Sequence, residues 1–401
     1  MFENPGSFSP IEHYATPRGG SPPRIFGSPR RYVQGPGVIA QTGHFLSHLG
    51  ALHAGVLLSA RSQRAEGRQL LAGLEAAGVQ STTATFAGEC SFEEIERHAG
   101  SLGTTALPVD LLIAAGGGKC LDASKSIAYR LGVPLVVVPT LASNDAPCSA
   151  LSLIYTPEGV SADVEFFPES PALVVVDTAV IASAAERYLV AGMGDAMATW
   201  YEARATAASP NGITAMGGRP TLAATALGKL CAETLYEKGV AAAEAVMKST
   251  IDEALEAIVE ANTLLSGVGF ESGGLAVAHA LAQGYTVVKA VEESNLHGEM
   301  VAMGLLAQLV LEQDLAEAHK AARFFRDVGL PIHLGQIGLT PDRDPDLRAV
   351  IASAVDFPFL SNMPFEVTAE ALHAAMLAAH DLGAGIARES GESAWQKLRS
   401  A

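Results

Sequence analysis

The spacing of apolar residues changes once along the chain, near residue 186, and this change constrains the fold more than any other feature. Before it, short apolar runs such as Val109 to Ala115 alternate with amphipathic segments, which is typical of βα units around a parallel sheet. After it, the period is helical. The sequence therefore predicts an α/β N-terminal domain with a parallel nucleotide-binding sheet over 31–185 and an all-α C-terminal domain over 186–401.

Individual elements follow from the same periodicity. Strands are expected at the short apolar runs 55–58, 81–86, 109–115, 134–138 and 173–177, and a β-hairpin over 152–167. Helices are expected at 38–49, 62–77, 91–103, 121–131, 220–237, 240–263, 271–290, 298–312 and 368–386. Residues 1–30, which are rich in Pro, Gly and Ser, are expected to form an extended arm.

Charge and composition exclude several classes of partner. Lys and Arg number 26 against 43 Asp and Glu, a net charge of −17, whereas a nucleic-acid-binding protein normally presents a basic face. No apolar run reaches membrane-spanning length without polar interruption and the N-terminus lacks a signal-peptide core, so we expect a cytoplasmic enzyme without membrane contact. The four cysteines form no CxxC pair, so neither a disulfide framework nor a cysteine zinc site is indicated. The helical surfaces favour a homo-oligomer.

Two histidines stand inside apolar runs of the second half. His279 lies on a helical pattern in which Leu275 and Leu281 would face a core, and His297 precedes a second apolar helix. Dehydration disfavours the charged imidazolium, so a buried ring is left neutral with a nitrogen free to bind a metal or accept a hydrogen bond. Metal ligation and a satisfied core histidine are both open at this point.

Asp195 is a third candidate. It follows Gly192 and Gly194 and is expected to begin an otherwise apolar helix, where it would cap the first turn and interact with the helix dipole. The alternative is a metal ligand, because a carboxylate buried among apolar side chains is costly unless it is paired. Two imidazoles and one carboxylate leave a position for water or substrate and suit Zn²⁺ or Fe²⁺ better than Mg²⁺ or Ca²⁺.

A triple glycine separates an expected strand from an expected helix. Glycines let backbone N–H groups approach a pyrophosphate, so the segment is a candidate cofactor site. Its candidate residues are Gly116, Gly117, Gly118, Lys119 and Asp122. The segment matches neither the P-loop nor the GxGxxG pattern, and an ordinary tight turn is an equal alternative.

The loop 139–150 follows the next expected strand and is too polar for a core segment. Ligands of open α/β sheets bind beyond the carboxyl ends of strands, where this loop would lie. It offers the hydroxyls of Thr140, Ser143 and Ser149 and the carboxylate of Asp145. The alternative is a loop that owes its composition to turn chemistry alone.

Five motifs together resemble the glycerol dehydrogenase branch of the iron-containing alcohol dehydrogenase and dehydroquinate synthase-like superfamily, and the similarity extends from about residue 32 to about residue 388. The motifs are Gly-Gly-Gly-Lys at 116–119, Pro-Thr-Leu-Ala-Ser-Asn-Asp-Ala-Pro-Cys-Ser-Ala at 139–150, Gly-Met-Gly-Asp at 192–195, Gly-Phe-Glu-Ser-Gly-Gly-Leu-Ala-Val-Ala-His at 269–279 and Leu-His-Gly-Glu-Met-Val-Ala at 296–302.

The resemblance implies a reaction and a set of site residues. It implies reversible NAD-linked oxidation of glycerol to dihydroxyacetone, or of a similar small polyol. It implies a catalytic metal, usually zinc and in some relatives iron, on Asp195, His279 and His297, and a substrate hydroxyl on Asp145. It implies dinucleotide contacts on Gly118, Lys119, Thr140, Ser143, Ser149, Leu151 and Tyr155.

One departure from the resemblance concerns the cofactor. The family commonly has an acidic residue after the strand at 55–59, where it binds the adenosine ribose, but Ser59-Ala60-Arg61 stands here and the first acid is Glu66. Loss of a carboxylate and gain of arginines would admit a 2′-phosphate, so NADP use is a hypothesis beside NAD. The alternative is that Arg61 and Arg64 are solvated helix residues.

Two rival functions stay open. A glycerol-1-phosphate dehydrogenase, another alcohol dehydrogenase or a lyase of the same superfamily would share the fold, although a phosphate or carboxylate substrate calls for a Lys or Arg cluster beside the histidines. A non-catalytic nucleotide-binding protein would keep the sheet without the chemistry.

Overall fold

The computed structural model describes residues 8–15 and 22–400. Within these residues a six-stranded parallel sheet has the order β1-β8-β5-β4-β2-β3, and β6 and β7 form a separate antiparallel hairpin. The strands are β1 (Tyr32–Gly35), β2 (His53–Ser59), β3 (Gln80–Phe86), β4 (Leu111–Gly116), β5 (Leu135–Pro139), β6 (Leu151–Tyr155), β7 (Ser161–Phe166) and β8 (Leu173–Asp177). Every residue of β4, β5 and β8 is buried, as expected for strands with helices on both faces. The predicted α/β sheet is confirmed.

Two of the helices expected in the first half differ in the structure, and a short helix over 178–182 was not expected. The helices of this half are α1 (Thr42–Phe45), α2 (Ala60–Arg64), α3 (Gly67–Ala76), α4 (Phe92–Gly103), α5 (Gly118–Leu131) and α6 (Thr178–Ala182). The helix expected over 38–49 is α1 flanked by two 3-10 turns. The helix expected over 62–77 is divided between α2 and α3, because Ala65 leaves the helical backbone conformation.

No strand follows in the second half of the described chain, apart from an isolated bridge between Arg24 and Arg219, so the predicted all-α character of this half is confirmed. Its helices are α7 (Glu186–Ala208), α8 (Leu222–Met247), α9 (Glu253–Glu260), α10 (Ser266–Gly273), α11 (Val277–Tyr285), α12 (Lys289–Ser294), α13 (His297–Leu311), α14 (Leu315–Val328), α15 (Asp344–Val355), α16 (Ala369–Ser390) and α17 (Ser393–Ser400). A π-helical turn, Ala261–Leu265, joins α9 to α10.

Two helix boundaries expected from the sequence are wrong. The break expected near 238–239 lies instead after Met247, where Ser249 adopts a left-handed backbone with φ 48°. The single helix expected over 271–290 is divided, because Gly274 has φ 110° and ends α10 before α11 begins at Val277. In both cases the boundary depends on backbone angles, to which hydrophobic periodicity is insensitive.

The N-terminal segment is extended only in part. Residues 1–7 and 16–21 of the predicted arm lie outside the described residues, and Ile11–Ala15 form a short π-helical turn instead of an extended segment. Residues 22–30 run along the helical half, where the Gly27 N–H donates to the Ser272 hydroxyl at 3.0 Å. The Arg30 N–H then donates to the Pro171 carbonyl at 3.2 Å, so this stretch contacts both halves of the chain.

In the part of the chain that the structure describes, no single helix is long and apolar enough to cross a membrane. The consecutive segments 253–273 and 277–285 reach that composition only as a pair with a 105° bend between them.

Candidate metal centre and cofactor cleft

Three helices bring Asp195, His279 and His297 together. The Asp195 Oδ1 atom lies 3.4 Å from His279 Nε2 and 3.5 Å from His297 Nε2. One donor atom from each of the three residues lies within 4.8 Å of the other two. The structure therefore assembles the triad that the sequence suggested, from positions 102 residues apart at their extremes.

Asp195 does not begin a helix. It lies in the middle of α7, nine residues after Glu186, so the expectation of a first-turn cap is wrong. The predicted helix start was wrong because Gly192 and Gly194 suggest a helix boundary, whereas both lie inside α7 at points of close contact with neighbouring backbone. The interpretation of Asp195 as a dipole-capping carboxylate is thereby excluded, and its complete burial needs another explanation.

Glycines set the short distance between α7 and α13. A Cβ on Gly298 would lie 1.8 Å from the Ala191 carbonyl oxygen, and a Cβ on Gly194 would lie 2.3 Å from the Gly298 carbonyl oxygen. Such distances are far inside van der Waals contact, so only glycine fits at either position. This backbone-to-backbone approach places the start of α13, and hence His297, beside Asp195.

Glu202 holds the His279 ring. Its Oε2 lies 2.6 Å from His279 Nδ1, while its Oε1 accepts the backbone N–H groups of Ala276 and His279 at 2.7 and 3.0 Å. With Nδ1 donating to this carboxylate, Nε2 is the ring nitrogen that faces the centre of the triad. Burial opposes a charge on His279, but Glu202 and Asp195 outweigh it and raise the pKa of the imidazole well above its usual value, so a metal would bind Nε2 by displacing its proton.

Glu299 orients the start of α13. Its Oε2 accepts the Leu296 N–H at 2.7 Å, and both carboxylate oxygens accept hydrogen bonds from Arg187 at 2.8 Å. His297 follows Leu296 and is the first residue of the helix. Burial lowers the pKa of His297 despite the neighbouring Asp195 carboxylate, which favours the neutral ring that a metal requires.

The residues fit a divalent cation. Asp195 Oδ1 is buried and has no hydrogen-bond partner, although the Nε2 atoms of both imidazoles lie close to it. Burial alone would raise the pKa of Asp195, but His297 and His279 hold it below the usual range, so the carboxylate is ionised. An ionised, buried oxygen that makes no hydrogen bond and lies beside two ring nitrogens is an arrangement that a bound divalent metal would complete.

Asp145 lies against the triad. Its backbone N–H donates to Asp195 Oδ2 at 3.2 Å, and its Oδ2 accepts the Ser266 hydroxyl at 3.2 Å. Burial and the neighbouring Asp195 charge raise the pKa of the Asp145 carboxyl well above its usual value. The loop that carries Asp145 is thus tied to the Asp195 carboxylate through its backbone.

The sheet has one topological switch point, between β2 and β4. The chain leaves β2 toward β3 on one side and leaves β4 toward β5 on the other. Dinucleotides bind in such crevices at the carboxyl ends of the strands. Gly116 ends β4 there, Gly117 and Gly118 lead into α5, and Thr140 follows the neighbouring strand β5. The predicted glycine segment and the 139–150 loop therefore lie at adjacent strand ends.

A buried lysine in α5, for which the sequence predicted no role, connects this helix to the loop 139–150 and to the β6–β7 hairpin. Lys125 Nζ lies 3.0 Å from Asp122 Oδ1, 3.0 Å from the Ser149 hydroxyl and 2.7 Å from the Leu151 carbonyl. The Asp122 carboxylate also accepts the Leu153 N–H, so both ends of this ion pair reach the β6–β7 hairpin. In this structure Asp122 and Ser149 are bonded within the protein, and their contact with a cofactor stays a prediction.

The remaining predicted cofactor residues lie along the same cleft. Lys119, in the first turn of α5, is about half exposed, pairs with Glu89 and lies 5.4 Å above the Tyr155 ring. Ser143 is partly exposed in the loop before Asp145. Direct contact of each with a dinucleotide remains a prediction.

Three buried charged residues were not assigned roles from the sequence, namely Glu202, Lys125 and Glu271. Glu271 Oε1 accepts the Ala150 N–H at 2.5 Å, and burial raises the pKa of its carboxyl to about 7. Glu202 carried a usable signal, because it lies seven residues after Asp195 and hence on the same face of α7. A second buried carboxylate on that face would have indicated a partner for one of the histidines.

Comparison with known proteins identifies the family. The profile of the iron-containing alcohol dehydrogenase family matches residues 29–178. The chain is 41% identical over 362 residues to a glycerol dehydrogenase of Citrobacter freundii, covering 90% of this chain and 98% of that protein. It is 40% identical over 361 residues to a glycolaldehyde reductase of Halobacterium salinarum, covering 90% and 98%. The crystal structure of a probable glycerol dehydrogenase from Sinorhizobium meliloti 1021 superposes with a TM-score of 0.84 at 37% identity, covering 90% of this chain and 100% of that one. The chain belongs to the iron-containing alcohol dehydrogenase family.

Proposed function

We propose that the chain is a metal-dependent oxidoreductase that catalyses reversible NAD-linked oxidation of glycerol to dihydroxyacetone, or of a similar small polyol. The observation that carries the proposal is the buried, unpartnered Asp195 Oδ1 between His279 Nε2 and His297 Nε2, next to the loop 139–150. Identities of 41% and 44% to two glycerol dehydrogenases over most of the chain support the substrate class.

Asp195, His279 and His297 would hold the metal, and we propose zinc, with Fe²⁺ as the alternative that accepts the same donors. A bound divalent metal would supply a Lewis acid for the substrate hydroxyl, and the nicotinamide ring would supply the hydride acceptor. Glu202 fixes the His279 ring so that Nε2 faces the centre. The Gly194 and Gly298 contact keeps His297 at the same centre without a flexible linkage.

Asp145 would position the substrate. One of its carboxyl oxygens accepts the Ser266 hydroxyl, which leaves the other for a hydroxyl of the polyol beside the reacting carbon. Its backbone bond to Asp195 fixes the distance between this hydroxyl site and the metal ligands. We expect the proton of the oxidised hydroxyl to leave through water or the cofactor ribose.

The glycine segment 116–118 would face the pyrophosphate, with Lys119 beside it. The nicotinamide half of the cleft is proposed to be lined by Thr140, Ser143, Ser149, Leu151 and Tyr155. Glu271 and Lys125 hold this wall in place through Ala150, Ser149 and Leu151.

An NAD-dependent enzyme draws on an intracellular cofactor pool, so we propose a cytoplasmic location. We also propose a homo-oligomer, which light scattering would reveal.

The experiment is a set of initial rates on purified protein of known metal content, with glycerol and glycerol 1-phosphate as substrates. Glycerol-dependent reduction of NAD that is lost on chelation and restored by zinc would support the proposal. A preference for glycerol 1-phosphate would favour the rival dehydrogenase. Bound metal without turnover across alcohols and aldehydes, glycolaldehyde included, would revive the non-catalytic alternative.

A further inference from the structure

The turn after β2 forms one wall of the dinucleotide crevice. Ser59 ends β2 and Gly116 ends β4, on the two sides of the switch point. A Cβ on Gly116 would lie 3.2 Å from the Ser59 Cβ, so the two turns are in direct contact. In sheets of this kind, the adenosine ribose of the cofactor reaches the strand neighbouring the pyrophosphate turn. The residues that follow Ser59 are therefore the ones that a ribose bound in this way would meet.

This turn lacks the group that normally distinguishes the two nicotinamide cofactors. A carboxylate at this place accepts the ribose 2′-hydroxyl and repels a 2′-phosphate, whereas an arginine there accommodates the phosphate. Here the residues from Ser59 to Arg64 include no acid and two arginines. The Ser59 hydroxyl is engaged locally, because it donates to the Ser62 hydroxyl and accepts the Ser62 N–H.

Glu66 is the nearest acidic residue along the chain, and it is used to hold an arginine. Its Oε1 lies 2.9 Å from Arg61 Nη1, while its Oε2 is buried without a hydrogen-bond partner. The Glu66 side chain is 7% exposed and that of Arg61 is 49% exposed. The carboxylate is thus buried under a guanidinium that is about half exposed, in the turn that follows β2.

We propose that the chain uses NADP as well as NAD, with Arg61 as the group that binds the 2′-phosphate. We assign the missing carboxylate to Ala60, the exposed residue directly after β2. Arg64, exposed one turn further along α2, adds positive charge. The inference rests on the proposed function only in requiring a nicotinamide cofactor, and not on the identity of the substrate.

Two measurements test the inference. The first is kcat/KM for NADP and for NAD at saturating glycerol. The second is the Kd of NADPH and of NADH from their intrinsic fluorescence, which needs no turnover. For the unmodified chain we expect the ratio of the two kcat/KM values and the ratio of the two Kd values each to lie within about tenfold of one. The reason is that the carboxylate that would discriminate against NADP is missing.

Substitutions locate the effect. Ala60→Asp should weaken NADPH binding by about tenfold or more while changing NADH binding by less than about threefold, because a carboxylate there would repel the 2′-phosphate. Arg61→Ala should also weaken NADPH binding by about tenfold or more with little effect on NADH binding, because it removes charge-assisted hydrogen bonds to the 2′-phosphate. Because Arg61→Ala leaves Glu66 buried and unpaired, the double variant Arg61→Ala with Glu66→Gln separates binding from folding. Arg68→Ala, at an exposed position of α3, is the matched control.

The outcomes are distinct for the two proposals. A preference for NAD over NADP of more than about a hundredfold, unchanged in Arg61→Ala, would overturn the inference and leave the proposed function intact. Absence of turnover with both cofactors would count against the proposed function, while the fluorescence titrations would still decide the choice of cofactor.

Discussion

The candidate metal centre and the proposed cofactor cleft differ in the contacts that chiefly set their geometry. At the metal centre, α7 and α13 touch backbone to backbone at Gly194 and Gly298. In the cleft, the β6–β7 hairpin and the loop 139–150 are held by the side chains of Lys125 and Glu271. Backbone contact fixes a distance that no side-chain movement can change, whereas a side-chain network depends on charge. We therefore expect the first region to be most sensitive to steric change and the second to changes in charge or pH.

Removal of the buried lysine should have the largest effect on stability. Lys125→Met leaves the Asp122 carboxylate buried without its cation, and breaking a buried pair costs about 3–5 kcal/mol. The free energy of unfolding from urea titration measures this loss. Lys289→Met, at a side chain that is 84% exposed, is the control and should change stability little. Equal stability of Lys125→Met and the unmodified chain would show that the network does not hold the cleft.

A single methyl group should damage the metal centre. Gly298→Ala would place a carbon 1.8 Å from the Ala191 carbonyl oxygen, so α7 and α13 must separate. We expect a loss of about 1–3 kcal/mol of stability together with loss of bound metal. Gly385→Ala is the control, because its nearest neighbour lies at 3.9 Å and the helix gains propensity. Full metal content in Gly298→Ala would contradict the role assigned to this contact.

Glu271 should give the cleft a pH dependence. Burial raises the pKa of its carboxyl from 4.5 to about 7, so between these values the folded chain keeps a proton that the unfolded chain loses. The contribution to stability therefore falls as pH rises from about 4.5 to about 7, by up to about 3 kcal/mol. Glu271→Gln keeps an acceptor for the Ala150 N–H and should remove that slope. Parallel stability curves for the two proteins would refute this prediction.

A smaller effect is expected from the group behind the metal ligand. Glu202→Gln keeps an oxygen for the backbone N–H groups of Ala276 and His279 but removes the charge beside His279 Nδ1. Such changes lower metal affinity by about 10–100-fold. Competition with a chromophoric chelator measures the affinity. Glu233→Gln, on an exposed side chain, serves as control, and equal affinities would mean that Glu202 only supports the fold.

The sheet could be predicted from the sequence because its strands are short apolar runs such as β4 and β5, buried on both faces. The ends of helices could not be predicted where backbone angles decide them, as at Ser249 and Gly274. The position of Asp195 inside α7 was missed for a related reason, since glycines that favour a helix end in isolation are required here for close packing.

The three candidate ligands could be found because polar groups in apolar runs are conspicuous. Their partners could not, because Glu202 meets His279 across 77 residues of sequence. The bond from Lys125 to Ser149 likewise spans 24 residues. Partnerships of this kind depend on tertiary packing, and local periodicity contains no information about them.

The most direct test of the central claim is metal content and turnover measured together for His279→Ala. If Asp195, His279 and His297 hold the catalytic metal, elemental analysis should show its loss and glycerol oxidation should fall by at least about a thousandfold, with the helical circular dichroism unchanged. His319→Ala, at an exposed position on α14, should retain both. Full metal occupancy and undiminished turnover in His279→Ala would contradict the assignment.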